Sequence, residues 1–443
     1  MKDNHVTAIA VTGATAINLD KSSLGLQTKV TSITLASGVT RLTYVEYSNA
    51  NGKLATSGLS IKDVPAANAA TVAGNTHVSH ISLAGTALTA VQYTSAVSTK
   101  NTTTGLGISG VAAANASTVV KDSHVASINV TGVSATNLDT SALGALAKVT
   151  LITLANGVTS LSYAEYVNAK GKLASTGLTI TGVSVANAAA TSTVIKDSHV
   201  AAITVNDTAA HITANLAVLL ANTKLSSITQ SDSPTALSIT AAQSSVNHSV
   251  LAKIAGAYNL TVMGTNAADK LFDTVNSHAT LTGGKGIDIF NVTGIDTITD
   301  LGKGGADILT IAKGGIANST INTAWIASAD TINNGTANIT TAGLAVNLSA
   351  VTKGTSGYKI IDTGSATKLT GSALGDLILG GSGNDTLVGS LGNDTLTGGK
   401  GNDLFVFNAK PNNTTNVDLI TDFTSGKDHL QLSKTIFAGN AQG

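Results

Sequence analysis

The chain has 443 residues, of which 42% are hydrophobic, only 3% aromatic and 11% charged, against a usual ~25% charged. Its 25 basic and 25 acidic residues cancel, which argues against a nucleic-acid partner, because phosphates call for a basic surface. The absence of cysteine excludes disulfides, thiolate catalysis and thiolate metal sites, and the lack of any run of 18 apolar residues excludes a hydrophobic membrane-spanning helix.

The N-terminus, Met1-Lys2-Asp3-Asn4-His5, has no apolar core of a secretory signal. The same junction recurs as Lys121-Asp122-Ser123-His124 and Lys196-Asp197-Ser198-His199. The chain therefore begins at a repeat boundary, which predicts a segment of a longer protein. Residues 5–64 match residues 124–183 without a gap, with 37 of 60 positions identical. A shorter signature, His-Val-x-x-Ile-x-Val/Leu, starts at His5, His77, His124 and His199. Its alternating apolar positions predict a strand with one buried face, and Val30–Leu35 and its copy Val149–Leu154 predict further strands. Two helices are predicted later. One runs from Asp207, its cap, to Lys224, with Ile212, Leu216, Leu219 and Leu220 on one face; the other runs from Thr240 to Ile254. Units this small and this poor in aromatics cannot each bury a face alone, so neighbours must cover one another. The expected architecture is mainly β: a repeat-built, parallel β-solenoid with a few short helices at corners.

From Gly371 the sequence runs in nines. Gly380-Gly381-Ser382-Gly383-Asn384-Asp385-Thr386-Leu387-Val388 fits G-G-x-G-x-D-x-U-x fully, as does Gly398-Gly399-Lys400-Gly401-Asn402-Asp403-Leu404-Phe405-Val406. Gly389–Thr397, with Gly392 and Asp394, replaces the second glycine by Ser390; Gly371–Leu379, with Asp376, is degenerate. Glycine allows turns closed to other residues. Such turns aim carbonyl oxygens inward, and the aspartate adds an anionic oxygen, matching the six to eight oxygens that calcium takes. Two nines make one coil, so Asp376 stacks on Asp394 along one edge and Asp385 on Asp403 along the other. The second edge, between the two perfect units, is the better expected site, because Leu374 and Ser390 disturb the first. Another unit, Gly283–Phe290 with Asp288, is preceded by the eroded Gly264–Phe272 with Asp269 and followed by Asp296 to Leu301 and Gly305–Leu309. The tail repeats that order with Asp418 to Phe423, containing Asp422, and Gly426 to Leu430, containing Asp428.

These nonapeptides closely resemble those of the RTX family, secreted calcium-binding proteins. The resemblance implies a parallel β-roll ending the solenoid, calcium ions in its turns, and type I export from a Gram-negative cell by an uncleaved C-terminal signal. It also implies an extracellular or cell-surface location and folding that waits for calcium. Among such proteins the chain usually continues for tens of residues past this point, whereas here it stops at Ala441-Gln442-Gly443. The first half is similar to repeats of surface-layer and adhesin-like proteins. The expected organisation is a strand-repeat region at 1–198 (copies at 5–75 and 124–194, a shorter unit at 76–123) and a mixed strand/helix unit at 199–257. A degenerate calcium module at 258–312, a connecting β segment at 313–370, and the roll with its closing segment at 371–443 complete it.

The expected function is a non-enzymatic, calcium-ordered structural protein: a surface-layer, adhesin or matrix component that binds itself or a cell-surface glycan. The alternative is the accessory region of a larger type I-secreted protease or lipase. No H-E-x-x-H or G-x-S-x-G occurs. Gly105–Gly110 fits G-x-G-x-x-G, but its parallels at Thr56–Ile61 and Ser175–Ile180 place it in a turn and strand. The repeated histidines lack a second ligand at metal-like spacing and read as turn residues. Tyr44, Glu46 and Tyr47, with Tyr163, Glu165 and Tyr166, could meet a sugar but are expected to be structural.

Overall fold

The computed structural model describes residues 5–96 and 100–437. The opening Lys2-Asp3-Asn4 and the closing Ala441-Gln442-Gly443 lie outside the described residues. The fold divides into two units, 1–181 with 198–201, and 182–197 with 202–443.

In the first unit each coil takes about 20 residues. Parallel partners Ile61↔Ile81 and Ile108↔Ile128 are one coil apart, as are Ile33↔Leu54 and Ile152↔Leu173. These isoleucines are almost wholly buried and form a thin apolar stack, as the scarcity of aromatics required. The signature strands form as expected at Val78–Leu83 and Val125–Val133, and Val30–Leu35 and Val149–Leu154 are strands. Between strands the chain turns through helices of six or seven residues, such as Ala16–Lys21, Tyr44–Asn49, Ala135–Thr140 and Tyr163–Asn168. Helices this short are not stable alone, and each of these four begins with a reciprocal capping box, Thr15–Asn18, Thr43–Glu46, Ser134–Asn137 and Ser162–Glu165. These short helices stand at the corners of the coils, as expected. Lysines tie successive coils together: Lys53 Nζ donates to Gln27 O, Lys100 Nζ to Ala73 O and Asn75 O, Lys148 Nζ to Asp122 O, and Lys172 Nζ to Leu146 O, at 2.7–3.0 Å. The G-x-G-x-x-G match lies on the strand Leu106–Ala112 and its preceding turn.

In the second unit the first predicted helix is two, Ala209–Ala214 and Leu216–Leu220. Thr208, not Asp207, caps it. Asp207 ends the preceding strand, and its carboxylate accepts from Val185 N, Thr208 N and His211 Nδ1. The break at Asn215 resets the helical phase, so Ile212, Leu216 and Leu219 are buried but Leu220 is exposed. The second prediction also divides, into Ala241–Val246 and His248–Leu251, after a Thr240–Gln243 capping box.

From Leu237 onward every strand pair is parallel, in sheets of ten, five and six strands. The five-stranded sheet ends at Lys353–Gly354, and the six-stranded sheet starts at Trp325–Ile326. Between them the segment expected as a connector forms coils with three strands each: Ile316–Thr320, Trp325–Ile326 and Ile332–Asn333, then Thr336–Thr341, Val346–Asn347 and Lys353–Gly354. Trp325, the single tryptophan, is fully buried there. After these coils the repeat tightens to 18 residues, Ile360↔Ile378↔Leu396 on one sheet and Leu369↔Leu387↔Phe405 on the other. The protein is mainly β, a parallel β-solenoid with short helices that ends in a parallel β-roll.

Candidate calcium-binding turns

The roll stacks its aspartates one coil apart, along two edges. On one, Asp376 Oδ1 accepts from Tyr358 N at 2.6 Å, Asp394 Oδ1 from Asp376 N at 2.7 Å, and Asp418 Oδ1 from Asp394 N at 3.1 Å. On the other, Asp385 Oδ1 accepts from Thr367 N at 2.8 Å, Asp403 Oδ1 from Asp385 N at 2.9 Å, and Asp428 Oδ1 from Asp403 N at 3.0 Å. One oxygen of each carboxylate thus closes the preceding coil. Oδ2 of Asp385, Asp394 and Asp403 is buried with no hydrogen-bond partner. A buried anionic oxygen without a donor is costly, and three of them in successive turns call for a cation.

The glycines make the room. A Cβ at Gly380 would lie 2.7 Å from Asp385 Oδ2, and one at Gly398 2.4 Å from Asp403 Oδ2. The first glycine of each unit is therefore the space its own aspartate occupies. Gly381, Gly383, Gly392, Gly399 and Gly401 have φ of +92° to +142°, as the tight turns need. Ser390 takes +82° in the same role, an unfavourable value for a residue with a Cβ. Asn384 and Asn402 are exposed, and Asn384 Oδ1 accepts from Asn402 N at 2.8 Å. The Asn384 side chain thus links two coils on the outside.

The edges differ chemically. Asp376 Oδ2 already accepts from Ser372 N and Oγ, at 2.6 and 3.0 Å, so protein donors occupy both its oxygens. Asp422 is similarly engaged, with Gly398 N on Oδ1 and Gly399 N on Oδ2; Asp428 Oδ2 accepts from Thr424 N. Burial, and then mutual repulsion, pushes the carboxyls up from an ordinary 3.8: Asp385 to about 6 and Asp394 to about 8. Burial raises Asp376 to about 6 and also raises Asp403.

The eroded module follows the same plan. Asp288 is fully buried; its Oδ1 accepts from Asp269 N, its N–H donates to Asp307 Oδ1, and its Oδ2 has no partner. Asp300 accepts from Gly283 N and Gly284 N, as Asp422 does from Gly398 and Gly399. Two buried acids lay outside the motif reading. Asp273 accepts from Thr293 N, Thr293 Oγ1 and Gly294 N, and Asp362 carries another unpartnered Oδ2. Asp362 could have been found by extending the 18-residue register one coil back from Gly380.

Among the described residues no three His, Asp or Glu side chains converge on one point. Several residues singled out in the first unit make local contacts. Glu46 and Glu165 close capping boxes. His77 bonds Asn75 Oδ1 through N and Nδ1, and His124 bonds Asp122 Oδ1 in the same way. Tyr47 Oη accepts from Asn75 Nδ2, and Tyr93 Oη donates to Asp122 Oδ2.

Residues 370–441 match the family described as Peptidase M10 serralysin C terminal. The match concerns that terminal domain alone and supports an RTX-type repeat region, of the kind that generally binds calcium and is exported by type I secretion to the outside of the cell. It carries no likeness to surface-layer or adhesin proteins. No curated protein and no solved structure matches the chain. No helix among the described residues is long and apolar enough to cross a membrane.

Proposed function

We propose that the protein is a non-enzymatic extracellular structural component, of a surface layer, adhesin or matrix, whose C-terminal roll folds when calcium fills its turns. The observation that carries the calcium part is the row of buried, donorless Oδ2 atoms of Asp385, Asp394 and Asp403. Asp385 and Asp403 with the carbonyls of their glycine turns would hold one ion, and Asp394 with Asp376 a weaker one. The ion supplies the positive charge that lets two stacked carboxylates ionise in one coil. Support for a structural role comes from the first unit, where the acids, histidines and tyrosines best suited to chemistry are bound into caps and turns. A second reading, the accessory region of a larger secreted enzyme, draws on the likeness to the terminal domain of a peptidase family.

Circular dichroism and electron microscopy of the chain, with millimolar calcium and with chelator, test the proposal. Calcium is expected to add β-signal and to produce ordered sheets or filaments. Dispersed particles with a calcium-dependent spectrum would favour the accessory reading, and a spectrum indifferent to calcium would remove the calcium reading altogether.

A further inference from the structure

The nonapeptide motif starts at Gly371, but the 18-residue coil starts earlier. The pairing Ile361↔Leu379 places Asp362 over Gly380, and Leu369↔Leu387 places Thr367 over Asp385. Residues 362–370 are thus one more turn of the same edge, written in other residues. Thr367 stands where the motif has its aspartate, and Asp362 stands where it has its first glycine. Position 380 shows where a side chain from that place points: a Cβ there would meet Asp385 Oδ2 at 2.7 Å, inside the turn. With threonine at 367, the space that an aspartate of the same turn would fill is open to Asp362.

Three oxygens at this level are buried and unsatisfied: Asp362 Oδ2, Thr367 Oγ1 and Asp385 Oδ2. Asp362 is 2% exposed and Asp385 1%. Asp362 Oδ1 is anchored by Gly343 N at 2.7 Å and Gly364 N at 3.0 Å, so the carboxylate is held in place while its second oxygen stays free. The negative charge of Asp362 adds to the burial that disfavours ionised Asp385, which places the two within electrostatic reach. Neither oxygen has a protein donor to answer it.

We propose that Asp362, Thr367 and Asp385 hold a further divalent cation, calcium by the oxygen-only donor set, at the start of the roll, one coil before the first full motif at Gly380. The site rests on the calcium reading of the roll and extends it to a turn that lacks the motif aspartate. It swaps the carboxylate from the sixth position of the nonapeptide to the first and fills the vacated place with a hydroxyl. Its effect is to fasten the roll to the three-stranded coils that precede it.

The test is equilibrium dialysis of the full chain against calcium, comparing wild type, Asp362→Asn, Thr367→Val and Asp403→Asn. Asp362→Asn retains an oxygen for the Gly343 and Gly364 N–H groups and is expected to bind one fewer calcium ion per chain, with no loss of stability in chelator. Thr367→Val preserves shape and is expected to weaken binding of one ion while leaving the rest unchanged; it decides the matter should Asp362→Asn fail to fold. Unchanged number and affinity in Asp362→Asn, or in Thr367→Val where the first variant does not fold, overturns the site. In that case, loss of an ion in Asp403→Asn shows that the roll itself still binds calcium. A wild-type chain that binds none sinks both readings.

Discussion

Replacing Asp385 by asparagine should change stability in opposite directions with and without calcium. Asparagine keeps an oxygen for the Thr367 N–H but removes the charge. In the metal-free fold, burial and the neighbouring acids lift the Asp385 carboxyl from 3.8 to about 6. A carboxyl raised on folding costs stability as the pH rises from its unfolded toward its folded value, and in full above it, since the unfolded chain ionises more readily. About two pH units at ~1.4 kcal/mol each give a ceiling of about 3 kcal/mol at neutral pH. In chelator at pH 7.5, Asp385→Asn should therefore stabilise the roll by some part of that. In saturating calcium it should destabilise it, because a charged ligand is lost and Asp403 keeps its own unpartnered oxygen. Urea titration followed by the emission of Trp325, the sole tryptophan and fully buried in the second unit, reads that unit selectively; circular dichroism reads the whole chain. No change in either condition would show that the carboxylate serves only as a backbone acceptor, and equal destabilisation in both would show that its charge is favourable without the ion; either result would refute the reasoning.

The calcium-linked change in Asp376→Asn should be smaller than in Asp385→Asn, because Ser372 already satisfies Asp376 Oδ2; the same urea titrations compare them, and equal or reversed losses refute the ranking. In chelator the second unit should melt at a higher temperature at pH 5 than at pH 8. Its raised carboxyls, at about 6 for Asp376 and Asp385 and about 8 for Asp394, contribute stability in full below about 4 and lose it as the pH climbs through those values. Saturating calcium should reverse the slope, since protons then compete with the ion; calorimetry across that range reads both signs.

Legibility in the sequence followed how far each constraint is local. The nonapeptide turns could be read because position, glycine and aspartate are tied within nine residues, and the 18-residue stacking of Asp376 on Asp394 and Asp385 on Asp403 follows from that period. Capping boxes such as Thr43–Glu46 were equally local; the glutamates were expected to be structural, and the S/T-x-x-E pattern gives their role. The expected long helices over 207–224 and 240–254 failed at Asn215 and Asn247, where the coil must turn back onto its neighbour. Tertiary period overrode helical periodicity there. The three-stranded coils at 316–354 have no repeated wording at all, because their register is set by burial of unlike residues such as Trp325, Val346 and Leu369. Asp362 was hidden for a related reason: its partner lies one coil away, and its own nonapeptide place belongs to glycine.

A parallel coil must answer the same difficulty at every corner, where backbone groups leave the ladder and need partners. The first unit answers it with resident cations. The ammonium groups of Lys53, Lys100, Lys148 and Lys172 reach the carbonyls of the preceding coil, and the charge needed to close each corner is part of the chain. The roll answers it with carboxylates, which take up N–H groups on one oxygen and leave the other without a donor. Four lysines near carbonyls are electrostatically content as they stand; stacked carboxylates are not. On the proposed calcium reading, dependence on a metal is a property of the residue that closes the corner rather than of the solenoid. It follows that chelation should weaken the roll and leave the lysine-tied coils in place, and that unfolding of both together on chelation would contradict this division of chemistry.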